Sequence, residues 1–164
     1  MKNRPVALVV LVFAVAFLGA QEFQEMRINA TVETRCKIEL STNMVSFTRF
    51  GPSTGAPIPQ NEPPVTVIVK TTTRPSEKIY ARIVTSGDLT EAKTGGTIPA
   101  ESISWTASGG GFVSGSLSKA NPREIGRWNK SGTYQGTLTF TFQDDPSYSP
   151  GTYTLVVTVM VSGF

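Results

Sequence analysis

The chain has no histidine and a single cysteine, Cys36, in 164 residues. Without an imidazole, Ser-His-Asp and Cys-His activation of a nucleophile is excluded, and the commonest metal ligand is missing. One cysteine cannot form an intramolecular disulfide, so the fold must be held by packing. Charge is sparse too, at 16% of residues. The basic residues are scattered rather than clustered along a track for phosphates, so nucleic acid is not an expected partner. The longest apolar stretch, residues 6–18, falls short of the roughly 18–20 residues that a membrane-spanning helix needs.

That stretch has a different reading. Met1, Lys2 and Arg4 precede it and Gly19-Ala20-Gln21 follow it, the layout of a secretory signal peptide cut after Ala20. Residues 1–20 are therefore expected to be a signal helix and residues 21–164 a single domain, with no membrane span after cleavage. No cysteine follows the apolar run, which removes a lipid-modified amino terminus. Without Lys2 and Arg4, 13 basic residues stand against 12 acidic ones, so the processed chain is nearly neutral.

Residues 26–40 alternate without a slip. Met26, Ile28, Ala30, Val32, Thr34, Cys36, Ile38 and Leu40 share one parity, and Arg27, Asn29, Thr31, Glu33, Arg35, Lys37 and Glu39 the other. Such alternation predicts an extended strand with one buried and one wet face. Strands rarely exceed roughly 10 residues, so this run either serves two sheets or projects and pairs elsewhere. Cys36 falls on the apolar parity and reads as a buried free thiol; pairing with a cysteine of another chain is the alternative.

Further strands are expected at residues 44–50, 65–71, 79–83, 103–107 and 112–117. Residues 51–64 hold five prolines and predict an irregular connection crossing between sheets. Residues 87–99 read as a polar loop with one helical turn, and Gly109-Gly110-Gly111 as a turn rather than a phosphate-binding loop. Near the carboxyl end, Tyr134, Leu138, Phe140 and Phe142 oppose a threonine-rich face. After a turn at residues 144–150, Tyr153, Leu155, Val157, Val159 and Val161 alternate with polar neighbours. Both stretches open with Gly-Thr-Tyr, similar to the tyrosine corner in which the phenol hydrogen-bonds back to upstream backbone. An all-β, immunoglobulin-like Greek-key sandwich of seven or eight strands follows.

Little chemistry is marked out. Asp144 and Asp145 share a hairpin loop, but two carboxylates fall short of the about six oxygens that calcium takes. No acidic pair is singled out for glycoside chemistry. Asn29 and Asn129 open glycosylation triplets. Trp128, in a polar segment, is the best isolated candidate for an exposed contact residue, although packing over the end of the sandwich is the favoured reading. No catalytic, cofactor or metal site is expected, and the chain does not read as an enzyme.

The alternating amino-terminal segment and the ending Gly-Thr-Tyr-Thr-Leu-Val-Val-Thr-Val-Met-Val-Ser together resemble the pilins of bacterial chaperone–usher systems, with spore-coat-protein-U-type subunits nearest. That resemblance implies an incomplete sandwich, completed by the amino-terminal segment of the next subunit or by a periplasmic chaperone through strand addition. Met26, Ile28, Ala30 and Val32 would be donor side chains, and Tyr153, Leu155, Val157, Val159 and Val161 would line the acceptor. The function expected from the sequence is that of a structural or interaction sandwich, secreted or displayed in the periplasm or on the surface of a bacterium. A pilus-like subunit and a carbohydrate- or ligand-binding surface module are the alternatives.

Overall fold

Valine, isoleucine and threonine dominate the alternating stretches, and these β-branched side chains suit a pleated, half-buried surface. A computed structural model describes residues 35–163 of the chain, and among them the fold is all-β. The strands are β1 (Arg35–Leu40), β2 (Pro57–Pro59), β3 (Val65–Thr72), β4 (Ile79–Thr85), β5 (Leu89–Glu91), β6 (Thr97–Ile98), β7 (Ile103–Ser108), β8 (Gly115–Ser116), β9 (Arg123–Trp128), β10 (Gly132–Gln143), β11 (Tyr153–Thr154) and β12 (Val157–Gly163). One 3-10 turn, Ala100–Ser102, precedes β7.

All ladders are antiparallel. The larger sheet runs β1-β3-β10-β7-β8, with β2 also paired to β10; a second runs β12-β4-β9; and β11, β5 and β6 form a small third. Val67, Val69 and Leu138 of the larger sheet share one core with Ile79, Ala81, Ile83 and Ile125 of the second, all at most 2% exposed. Short connections at residues 73–78 and 129–131 join the two sheets at one end, here called the base. The longer loops, residues 41–56, 86–102, 117–122 and 144–156, gather at the opposite end, the apex.

Two tryptophans close one lateral side. Residues 111–113 pair with β9, through the Phe112–Gly126 bridge and the bonds Val113 N–H to Ile125 and Arg127 N–H to Gly111. Two residues later, β8 pairs with β7 in the other sheet. The crossing segment is pinned by both indoles: Trp128 Nε1 donates to the Gly110 carbonyl at 2.9 Å and Trp105 Nε1 to that of Val113 at 2.8 Å. Glycines give the rings room. A Cβ on Gly126 would lie 2.5 Å from the Trp128 ring, and one on Gly115 would lie 2.9 Å from that of Trp105.

Several expectations need correction. Residues 44–50 form no strand, because Ser46 and Arg49 are drawn into side-chain bonds with Glu62 and Asp144 instead of a ladder. The proline-rich stretch does not cross between sheets. It contains β2 and returns to the larger sheet, since β1 and β3 pair with each other. Its prolines are tolerated because β2 lies beside only one neighbour. Gln60 bridges the gap between β2 and β3: its Oε1 accepts the Phe140 N–H at 2.5 Å and its Nε2 donates to the carbonyls of Glu62 and Pro63. The loop at 87–99 holds the β5–β6 hairpin, with the helical turn just beyond it. Residues 152–162 are two strands in different sheets, Tyr153 on β11 and Val157, Val159 and Val161 on β12.

The glycine seat under Trp128 has a measurable consequence. Gly126→Ala should lower unfolding free energy by about 1–3 kcal/mol, the usual cost of overpacking. Gly110→Ala, whose Cβ meets nothing within 4 Å, should change it little. Urea unfolding of both variants makes the comparison, and equal midpoints would show that the indole shifts at no cost.

Candidate functional site

Strand edges expose backbone donors and acceptors, and a sandwich must pair, cover or charge them. The segment at 111–116 covers one lateral side. On the other side lie β1, the outer strand of the larger sheet, and β12, the outer strand of the second. Among the described residues no strand pairs with the outer edge of either.

The inward parity of both edge strands is apolar but only partly covered. Cys36 and Ile38 of β1 sit opposite Thr71 and Val69 in register. Val157, Val159 and Val161 of β12 sit opposite Thr85, Ile83 and Ala81. Cys36, Ile38, Val159 and Val161 pack against the core yet stay half-exposed, while Val69, Ile83 and Ala81 beside them are buried. Leu40 and Val157 are exposed, and Val156, just before β12, is 68% exposed. Cα atoms of β1 and β12 come within 8 Å of each other without forming a ladder. A strand seated between them would need two ladder spacings, about 9.5 Å.

The expected acceptor residues divide accordingly. Val157, Val159 and Val161 line the open side on β12, and half-buried Leu155 lies two residues before that strand. Tyr153 does not join them: it belongs to the small sheet, where its hydroxyl donates to the Ser149 carbonyl at 3.0 Å. Tyr134 makes the matching bond to the Lys130 carbonyl at 2.8 Å. Each phenol reaches back four residues, so both Gly-Thr-Tyr signals mark this corner bond. The expected donor residues Met26, Ile28, Ala30 and Val32 lie outside the described residues, as does the signal segment.

Trp128 is buried, in keeping with the packing reading rather than the exposed contact. It stacks on Tyr134 with ring centroids 5.0 Å apart and meets Phe112 edge-on at 5.0 Å. The sequence hid its strand because β9 reads Arg-Glu-Ile-Gly-Arg-Trp. A register shift opposite Ala81 and Arg82 breaks its alternation, so the strand was not legible. Asp144 pairs with Arg49 at 3.1 Å, and Asp145 accepts the Ser147 N–H at 2.7 Å; the Ser147 side chain, and after it this N–H, hold the Asp145 carboxyl below the usual range. On the threonine face, Ser108 and Thr137 bond to each other at 2.7 Å. Among the described residues no group of three or more His, Cys, Asp or Glu could hold a metal ion, and no helix is long and apolar enough to cross a membrane.

A comparison with protein-family models finds no match, and a comparison with curated proteins finds no significant relative.

Burial, and secondarily the charge of Glu77, pushes the Cys36 thiol above its ordinary value of 9.0. Folding thus favours the protonated thiol, and this contribution fades as pH climbs from 9.0 through the higher folded value. Alkylation by iodoacetamide should be slower than for a free cysteine, with a pH midpoint above 9.0 that drops when urea unfolds the chain. A midpoint at or below the free value in the folded protein would contradict the burial.

Proposed function

We propose that this chain is an exported structural subunit, an immunoglobulin-like sandwich that works by accepting an added β-strand along its open side rather than by catalysis. The observation that carries this reading is the pair of half-covered apolar edges, β1 and β12, facing the same side.

The order of strands supports it. In immunoglobulin-type sandwiches one sheet runs A-B-E-D and the other carries C, F and G. Here β1, β3, β10 and β7 follow one another as A, B, E and D would, and β12-β4-β9 as F, C and an added C-side strand. The position beside the outer edge of β12 corresponds to G, and no described strand fills it. A strand added there gains a full ladder of backbone bonds, while alternate side chains reach the core between Ile38 and Val159.

The segment at residues 21–34 has the pattern to serve as that strand. Burying three side chains such as Met26, Ile28 and Val32 contributes roughly 5–9 kcal/mol at about 1.5–3 kcal/mol each, against about 1–2 kcal/mol per residue for ordering the chain. The ladder bonds decide the balance. In a growing assembly the donor is the segment of another copy. Residue 35 enters β1 at the base, so donor and sandwich are covalently one subunit and each addition presents a new acceptor.

Deleting residues 21–33 separates assembly from self-completion. A subunit should remain folded and monomeric, lose assembly, and melt higher when a peptide of residues 21–34 is added. Unfolding or aggregation of the truncated chain would mean that the segment is an internal first strand, and the reading fails. Exclusion chromatography and a melting curve provide both readouts.

A further inference from the structure

Charge is distributed unevenly along the long axis of the sandwich. At the base, Arg35, Lys37, Lys70 and Arg127 extend from strands, and Arg74, Lys78 and Lys130 from the two connecting loops or their margins. All seven are exposed, and among the described residues only Glu39 and Glu77 oppose them there, for a net charge of +5. Midway, Arg82 stands opposite Glu124 in register and their charges sum to zero, while the Glu124 carboxylate also pairs with Arg127 of the base at 3.4 Å. At the apex, Glu62, Asp88, Glu91, Glu101, Asp144 and Asp145 outnumber Arg49, Lys93, Lys119 and Arg123, for a net charge of −2.

This asymmetry is fixed by the fold. Asp88 is held by the ammonium of Lys119 at 2.7 Å and by the Ala100 N–H. Glu91 is held by the Thr94 hydroxyl and N–H, and Glu62 by Ser46. These bonds keep the carboxyls below their usual range, so the apex stays anionic into mildly acidic solution. The base offers two open depressions without a carboxylate lining. One, of about 750 Å³, is flanked by Arg35, Lys37 and Lys70; the other, of about 280 Å³, by Lys78 and Arg127.

Resting on the strand-addition reading, we infer that successive copies meet head to tail, the basic base of one subunit seated on the acidic, loop-rich apex of the next. The chain enters β1 at the base. A donor segment leaving one base and reaching the next copy over its apex therefore lies antiparallel to β12, which runs from apex to base. Only this order brings opposite charges together at every junction; base against base would oppose two sites of net +5. Contacts shorter than the Debye length of about 8 Å keep most of their strength at physiological salt, and charge complementarity acts chiefly on encounter rate and orientation. A head-to-tail contact of unlike surfaces also leaves both ends free, which generates open filaments.

A charge swap tests the junction. Arg74→Glu, Lys78→Glu and Lys130→Glu together reverse the base, and Glu101→Lys with Asp145→Lys reverses the apex, all at exposed positions. Melting curves should confirm that both substituted proteins fold. Each alone should assemble at least about tenfold more slowly than the unaltered protein, and an equimolar mixture should recover the rate and yield species longer than dimers. Raising salt from about 0.05 to 0.5 M should slow the unaltered protein and the mixture alike. Unchanged rates in the reversed proteins, or no recovery on mixing, would overturn the junction while assembly through residues 21–33 still stands. If the unaltered protein stays monomeric at low salt, the strand-addition reading and the junction fall together.

Discussion

Backbone hydrogen bonding at the two lateral sides of the sandwich sets everything else. Each strand edge carries a row of N–H and C=O groups that must find partners. On one side the chain supplies them itself, by running residues 111–113 along β9 and then β8 along β7. On the other, β1 and β12 approach within 8 Å without a ladder. The difference is one of sequence. Glycines at 111 and 115 allow the crossing backbone to lie against Trp128 and Trp105, and no described segment is placed to do this between β1 and β12.

With no disulfide within reach of a single cysteine, the aromatic residues take over the role of staples. Trp128, Tyr134 and Phe112 form one stack beneath the base, and Phe142 meets Phe47 at 5.9 Å and Tyr148 at 6.1 Å toward the apex. The indole N–H bonds give these contacts direction, since an unpaired buried donor costs about 1–3 kcal/mol. The Tyr134 and Tyr153 phenols do the same for the turns that precede their strands.

Strands with clean alternation were legible: β3, β4, β7 and β10 all appear where their parity placed them, and Thr71, Val69 and Val67 line up inward as period two requires. What failed has a physical cause in each case. β9 is broken by a bulge opposite Ala81 and Arg82, so its inward residues Ile125 and Gly126 are adjacent rather than alternate. β2 is hidden by prolines that only a one-sided neighbour allows. Residues 152–162 keep one parity through a change of sheet, because alternation records facing and not partners. Of the open side, the apolar residues of β12 were legible. Its position opposite β1 was not, since it follows from ladder order across the whole larger sheet.

Two edges pairing symmetrically, β12 of one copy with β12 of another, would satisfy the same backbone groups, so edge exposure alone does not choose between a closed dimer and a chain. The side chains choose. A β12–β12 ladder extends the smaller sheet but leaves Cys36 and Ile38 of β1 as uncovered as before, because these face inward from the other sheet. One strand inserted between the edges covers both sets at once, at the cost of parting β1 and β12 to two ladder spacings, about 9.5 Å. Ile38 and Val159 on these edges are half-exposed, whereas Val67, Val69, Ile79 and Ala81 form the fully buried centre. The apolar seam therefore favours an asymmetric donor over a symmetric partner, and an asymmetric donor needs a polarity signal. The unequal charge of base and apex supplies one.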